Sequence, residues 1–177
     1  MKPYSEYKDT GVEWIGKIPQ HWDVIKLKYS DQVIMGQSPS SDDYKAQIGL
    51  PFLQGNADFT SIFPNPRVYC DTANKIAEKN DVLLSVRAPI GAVNISDQKY
   101  GIGRGLCAIR SNMNIPRLMF YFALSIYAEL NKLGTGSTYM AVTVDNVKNI
   151  TIPKINIEDQ KQIAKYLDHK TAQIDSL

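Results

Sequence analysis

Apolar positions along the chain fall into short clusters for the first two thirds and into long-period stripes only in the last third. From Trp22 to Gly36 they recur at Val24, Ile25, Leu27, Val33, Ile34 and Met35, which predicts a short strand, a helical turn near Ser30 to Gln32 and a second strand. Leu50 to Gln54 and Val68 to Cys70 read as strands around a loop holding Asn56, Phe63, Pro64 and Pro66. Ala73 to Lys79 fits one helical turn. Asp81 to Val86 is a strand whose unbroken apolar centre predicts burial on both faces. Ile90 to Ile95 and Leu106 to Ile109 add two strands, separated by a glycine-punctuated turn from Gly101 to Gly105.

Helical period begins at Pro116, which suits a first helical position, with Asn114 upstream as the cap. Leu118, Phe122, Ile126 and Leu130 step by four, and Gly134 supplies a stop. A second helix follows Pro153, where Asn156 or Ile157 precedes Glu158 and Asp159, acids that suit a helix start. Along it Gln160, Ile163, Leu167, Lys170, Ile174 and Leu177 alternate steps of three and four, the spacing of a coiled-coil seam. That stripe either meets a partner helix or packs on its own domain. The pattern therefore predicts a mixed α+β fold: a β-rich domain with packed helices over residues 1–153, then the start of a helical spacer over 154–177.

The stretch from Tyr4 to Trp22 lacks a period and is punctuated by Gly11, Gly16 and Pro19. It reads as an irregular arm clamped to the domain by Val12, Trp14, Ile15 and Ile18. Gly36 to Tyr44, with Pro39 and several Ser and Asp, is a loop by composition.

At 177 residues the chain is long enough to bury a sizeable core without disulfide or metal staples. Its 2 cysteines, Cys70 and Cys107, are too few and too far apart for a disulfide framework or a zinc site, so a reducing cytoplasm is the expected home. The longest apolar run, Leu118 to Ala128, is too short to span a bilayer, and no membrane role is expected. Net charge is only +2, yet residues 99–128 hold Lys99, Arg104, Arg110 and Arg117 without an Asp or Glu. A local positive surface there would suit an anionic partner.

Catalytic motifs are missing. Gly101-x-Gly103-x-Gly105 has Leu106 where the dinucleotide fingerprint continues, and Gly134 to Thr138 lacks the lysine of a phosphate loop. The 2 histidines, His21 and His169, stand in no triad or metal-ligand spacing. No Asn/Asp-Pro-Pro-aromatic tetrapeptide of an amino-methyltransferase occurs. What remains are amide, hydroxyl and guanidinium side chains after predicted strand or helix ends: Gln37 and Ser38, Gln54 and Asn56, Ser85 and Arg87, Arg104 with Lys99 nearby, and Thr135, Ser137, Thr138 and Tyr139. Such groups suit base edges and phosphates. Turn chemistry by itself accounts for any one of them. A carbohydrate- or peptide-binding module, using the same amides with Tyr44, Tyr100 and Tyr139 and a dimerising helix, is the rival reading.

The segment Tyr7 to Trp22 resembles the opening of the specificity subunit of type I restriction-modification systems. So do Gly36-Gln37-Ser38-Pro39, Pro51 to Asn56, Asp81 to Gly91, Gly136-Ser137-Thr138, and the closing run from Val147 to Pro153 and Gln160 to Asp175. The resemblance implies a non-catalytic subunit that recognises one half of a split double-stranded DNA target. Adenine-N6 methylation and restriction would reside in modification and restriction partners, which would hold S-adenosylmethionine, ATP and Mg; none of these is expected in this chain. The family's usual subunit carries two recognition domains and two spacers, whereas one domain and the start of one spacer are present here. A natural half-subunit would pair with itself.

Overall fold

The computed structural model describes residues 4–134 and 141–176. In chain order it contains β1 (Tyr7–Asp9), β2 (Lys17–Pro19), β3 (Asp23–Lys26), α1 (Leu27–Ser30), β4 (Asp31–Met35), β5 (Pro51–Leu53), β6 (Val68–Tyr69), β7 (Ile76–Ala77), β8 (Val82–Ser85), β9 (Val93–Ile95), β10 (Tyr100–Ile102) and β11 (Leu106–Ser111). There follow α2 (Pro116–Ser125), α3 (Tyr127–Leu133), α4 (Val144–Lys148), β12 (Thr151–Lys154) and α5 (Ile157–Asp175). The expected mixed α+β architecture is present.

A central antiparallel sheet in the order β4-β11-β8-β9 is the spine of the domain. One face carries Val82, Leu84, Cys107 and Ile109 against Met119, Ala123 and Ile126 of the α2–α3 region. The opposite face carries Leu83, Leu106 and Ala108 against a second sheet, β6-β5-β10-β7, through Leu53, Tyr100 and Ile102. Alternate side chains of β8 and β11 thus enter different cores, which is why these strands read as unbroken apolar runs. Burial pushes the Cys107 thiol up to about 12, so it behaves as a small core hydrophobe.

Several local expectations are corrected. The arm from Tyr4 to Trp22 is not irregular: β1 and β2 pair antiparallel, with Tyr7 opposite Pro19. Ala73 to Lys79 forms no helical turn, because Ile76 and Ala77 pair with β10 and Ala77 is buried. Gly101 belongs to β10 rather than to a turn, and its lack of a side chain lets the ring of Phe52 and Ala73 approach. The helical stripe after Pro116 is broken at Ile126, where Ser125 Oγ donates back to the Phe122 carbonyl at 2.8 Å. Asn114 does not cap α2; it is buried and its amide donates to Asp31.

The start of α5 is as expected, with Asn156 Oδ1 accepting from the Asp159 N–H at 2.9 Å. Its first turns sink into a third core with Ile18, Trp22, Leu118 and Ile155, through Ala164.

Candidate nucleic-acid interface

Five strand ends meet at one edge of the molecule. β5 and β10 run parallel, so Gln54 and Gly103 leave side by side. β4 and β8 both end, and β11 begins, at this same edge, since Met35 pairs with Cys107 and Ser85 with Leu106. The crowding requires glycine: a Cβ on Gly36 would overlap the Gly103 carbonyl. Ser38 Oγ accepts from the Arg104 N–H at 3.2 Å, and the Val86 N–H donates to the Gly105 carbonyl at 2.9 Å, tying the loops together.

Between these loops lies a cleft of about 470 Å³ lined by Ser38, Pro39, Ser41, Tyr44, Gln54, Arg87, Arg104 and Gly105. Four residues singled out in the sequence, Ser38, Gln54, Arg87 and Arg104, therefore converge on one site. Among the described residues neither guanidinium has a carboxylate partner, and the Gln54 carboxamide makes no hydrogen bond. A concave site whose two cations and one amide are unpaired among the described residues is suited to phosphate oxygens and base edges.

Other candidates fall elsewhere. Gln37 is exposed beside the cleft, with its backbone N–H bonded to Ile102, and Asn56 opens a 3-10 turn two residues beyond Gln54. Ser85 is corrected: it is 1% exposed and cannot touch a ligand. Its hydroxyl donates to the Pro89 carbonyl at 2.7 Å and accepts from the Ala92 N–H at 2.8 Å, bracketing the loop that carries Arg87. Lys99 does not join the cleft: it precedes β10 at the strand end opposite Gly103 and pairs with Glu78 at 3.6 Å. Thr135, Ser137, Thr138 and Tyr139 lie outside the described residues. Past them the chain returns at Ala141, which bridges Arg87.

The run of cations without acids at residues 99–128 does not make a positive face. Acids from distant segments neutralise Lys99, Arg110 and Arg117, leaving Arg104 as the one cation of the four without an ion pair among the described residues. Arg110 grips Asp81 through Nε and Nη2, with Nη2 at 2.8 Å, and this bonding raises its pKa further.

At the other end of β11 the chain passes through Met113 and Ile115 into α2, and there α5 is anchored. The buried Gln160 carboxamide accepts from the Ile115 N–H at 2.8 Å and donates to the carbonyls of Met113 and Ile155 at 3.0 and 2.9 Å. Arg117 and Tyr121 of α2 both bond Asp168, and Tyr121 also meets Thr171 at 3.2 Å. Sequence periodicity placed Gln160 on the seam; the structure turns it inward, because three backbone groups need its donor and acceptor. Ile163 and Leu167 line an apolar groove of about 550 Å³ with Tyr4, Trp22 and Phe122, whereas Ile174 is 67% exposed. Leu177 lies outside the described residues. The six residues of β11 place the α5 anchor about 20 Å from the cleft.

Residues 19–177 match the family model described as the type I restriction modification DNA specificity domain. The chain belongs to that family. This specificity domain is 43% identical over 172 residues to the protein of Methanocaldococcus jannaschii named as the type I restriction enzyme MjaX specificity subunit, covering 94% of the chain and 40% of that relative. It is 29% identical to the MjaIX specificity subunit of the same organism, with 93% and 40% covered. In structure it resembles the HsdS subunit from Thermoanaerobacter tengcongensis with a TM-score of 0.83 and 35% identity, over 96% of this chain and 42% of that one. The specificity domain thus spans about 40% of the length of these relatives. Family and fold together favour the DNA reading over a carbohydrate or peptide module.

One cluster stands apart from these sites. Tyr100, buried against Asp97, has its phenol pushed up to about 12, by burial first and then by that hydrogen bond, and is structural. Among the described residues no group of His, Cys, Asp and Glu is placed to hold a metal ion, and no helix is long and apolar enough to cross a membrane.

Proposed function

We propose that this chain recognises one half of a bipartite double-stranded DNA target for a type I restriction-modification complex. The observation that carries the proposal is the convergence of Ser38, Gln54, Arg87 and Arg104 on one cleft in a chain of the specificity family. Arg87 and Arg104 provide charge-assisted contacts to phosphate or guanine, while Ser38, Gln54, Gln37 and Asn56 add neutral polar contacts. Thr135, Ser137, Thr138 and Tyr139 are assigned to the same surface by their sequence alone.

Residues 1–153 are the recognition unit in this reading, and residues 154–177 are the root of a spacer helix. By their sequence spacing Ile163, Leu167, Ile174 and Leu177 are assigned to contact with a second helix, belonging either to a further part of the same polypeptide or to a second copy in a self-dimer. Modification and restriction subunits supply the chemistry and hold S-adenosylmethionine, ATP and Mg, and the complex works in the cytoplasm. A lone module of this kind buries roughly 600–1,000 Å² on DNA, so tight selectivity needs the rest of the assembly.

The test is to combine the chain with the modification subunit encoded beside its gene, measure the size of the complex and sequence the methylated sites on exposed DNA. Adenine methylation within a defined motif is expected. A stable, folded complex that methylates no defined motif would overturn the proposal.

A further inference from the structure

The cleft combines an aromatic ring with an amide. Tyr44 and Gln54 line it together, with Pro39 beside them. The Tyr44 ring is held in place: it stacks on the fully buried ring of Phe52, with centroids 5.3 Å apart and planes 28° from parallel. The chain on both sides of it is pinned. The Tyr44 N–H donates to the Ser41 carbonyl at 3.2 Å, Lys45 exchanges both backbone bonds with Tyr69 at 2.9 Å, and the Thr72 hydroxyl donates to Asp43 at 2.9 Å. One face of the ring is thereby occupied, and Tyr44 as a whole is half-buried at the cleft wall.

Gln54 follows β5 directly and is exposed, and its carboxamide has no partner among the described residues. A carboxamide offers a donor and an acceptor together, the complement of adenine N7 and N6 in the major groove. An aromatic wall offers neither, and the apolar group that a base pair shows in that groove is the 5-methyl of thymine. Both surfaces line the same cleft. We infer that it reads an A·T pair from the major groove, with Gln54 on the adenine and the Tyr44 ring against the thymine methyl group. Tyr44 is then a specificity-determining residue, and Phe52 is the support that keeps its ring from yielding. The inference rests on the DNA-recognition reading proposed above.

The experiment uses the chain assembled with its modification subunit, once its methylated motif is known. Each thymine of the half-site is replaced in turn by deoxyuridine, which removes the methyl group and nothing else. At one thymine the methylation rate at limiting DNA should fall about fourfold, the factor expected for one methyl group no longer removed from water. Tyr44→Phe, which keeps the ring, should show the same fall. Tyr44→Ala should methylate the thymine and deoxyuridine substrates at equal rates. A wild-type complex that shows no fall at any thymine overturns the inference without any variant, as does a Tyr44→Ala complex that retains the full effect. Absence of any methylated motif is a different outcome and overturns the DNA-recognition reading itself.

Discussion

Trp22 Nε1 donates to Asp159 Oδ2 across 3.0 Å, joining the end of the N-terminal hairpin to the first turn of α5. The same carboxylate accepts from the Asn156 amide at 2.9 Å and lies 3.4 Å from His21 Nε2. One acid thus fixes the helix start, the hairpin exit and the third core at a single point.

Replacing Trp22 with Phe removes this donor from a charged acceptor. The free energy of unfolding should fall by roughly 1.5–3 kcal/mol, the range for a hydrogen bond to a charged group. Denaturant titration followed by circular dichroism checks this, and an unchanged midpoint would show that the contact does not anchor α5.

Acid should loosen the same joint. Burial opposes ionisation of Asp159, but hydrogen bonds from Trp22, His21, Asn156 and Tyr4 outweigh it and hold the carboxyl below its usual range. A carboxyl lowered in the folded state stabilises fully above its unfolded pKa of about 3.9 and loses that contribution as pH falls through the folded value. Wild-type stability should therefore drop below about pH 4, and Asp159→Asn should be less stable at neutral pH and show a smaller acid loss. Parallel acid slopes for the two proteins would contradict this.

Ser85→Ala should cost roughly 1–3 kcal/mol in stability, since a buried hydroxyl with both its donor and its acceptor engaged is removed. The loop bracketed by Pro89 and Ala92 carries Arg87, so DNA affinity of the assembled complex should fall as well. A loss of stability with DNA affinity unchanged would separate Ser85 from the cleft.

Arg87→Ala and Arg104→Ala should each weaken DNA binding by about 1–3 kcal/mol, with little effect on stability because neither has an ion-pair partner among the described residues. A loss confined to one base pair marks a guanine contact; a uniform loss with a salt slope reduced by about one marks a phosphate contact. Folded variants that bind as the wild type does would remove the cleft from the interface.

Gly36→Ala would set a methyl group against the Gly103 carbonyl. Backbone rather than a flexible side chain must then move, and a penalty of about 1–3 kcal/mol or more is expected, visible as a lower thermal midpoint.

Much of this architecture was legible in the chain because burial leaves a periodic trace. The doubly buried strand around Leu83, the strand at Cys107 and a helix start at Asn156 or Ile157 are local patterns, and the structure has all three, with Asn156 as the cap. The pairing of Ile76 with β10 and the hairpin of β1 with β2 were not, since two- and three-residue strands are too short to show a period and owe their form to tertiary partners. At the site, residue type pointed to Arg87 and Arg104 but could not tell Ser85 from them. A serine that bonds backbone and a serine that meets solvent look alike in sequence. The cation run from Lys99 to Arg117 misled for a similar reason, because its neutralising acids, Glu78, Asp81 and Asp168, lie outside it in sequence and beside it in space. Gln160 left a clue as the one amide in a stripe that is apolar at every other position but Lys170.

The placement of cleft and helix anchor at opposite ends of β11 has an evolutionary consequence. Changes at positions about 20 Å apart, with no shared partners, add independently in free energy. Exchange of Tyr44, Gln54 or Arg104 therefore leaves Gln160, Asp168 and their bonds undisturbed. On the proposed reading, such a scaffold can acquire a new DNA word by rewriting a few loops while inheriting its joint to the rest of the machine intact.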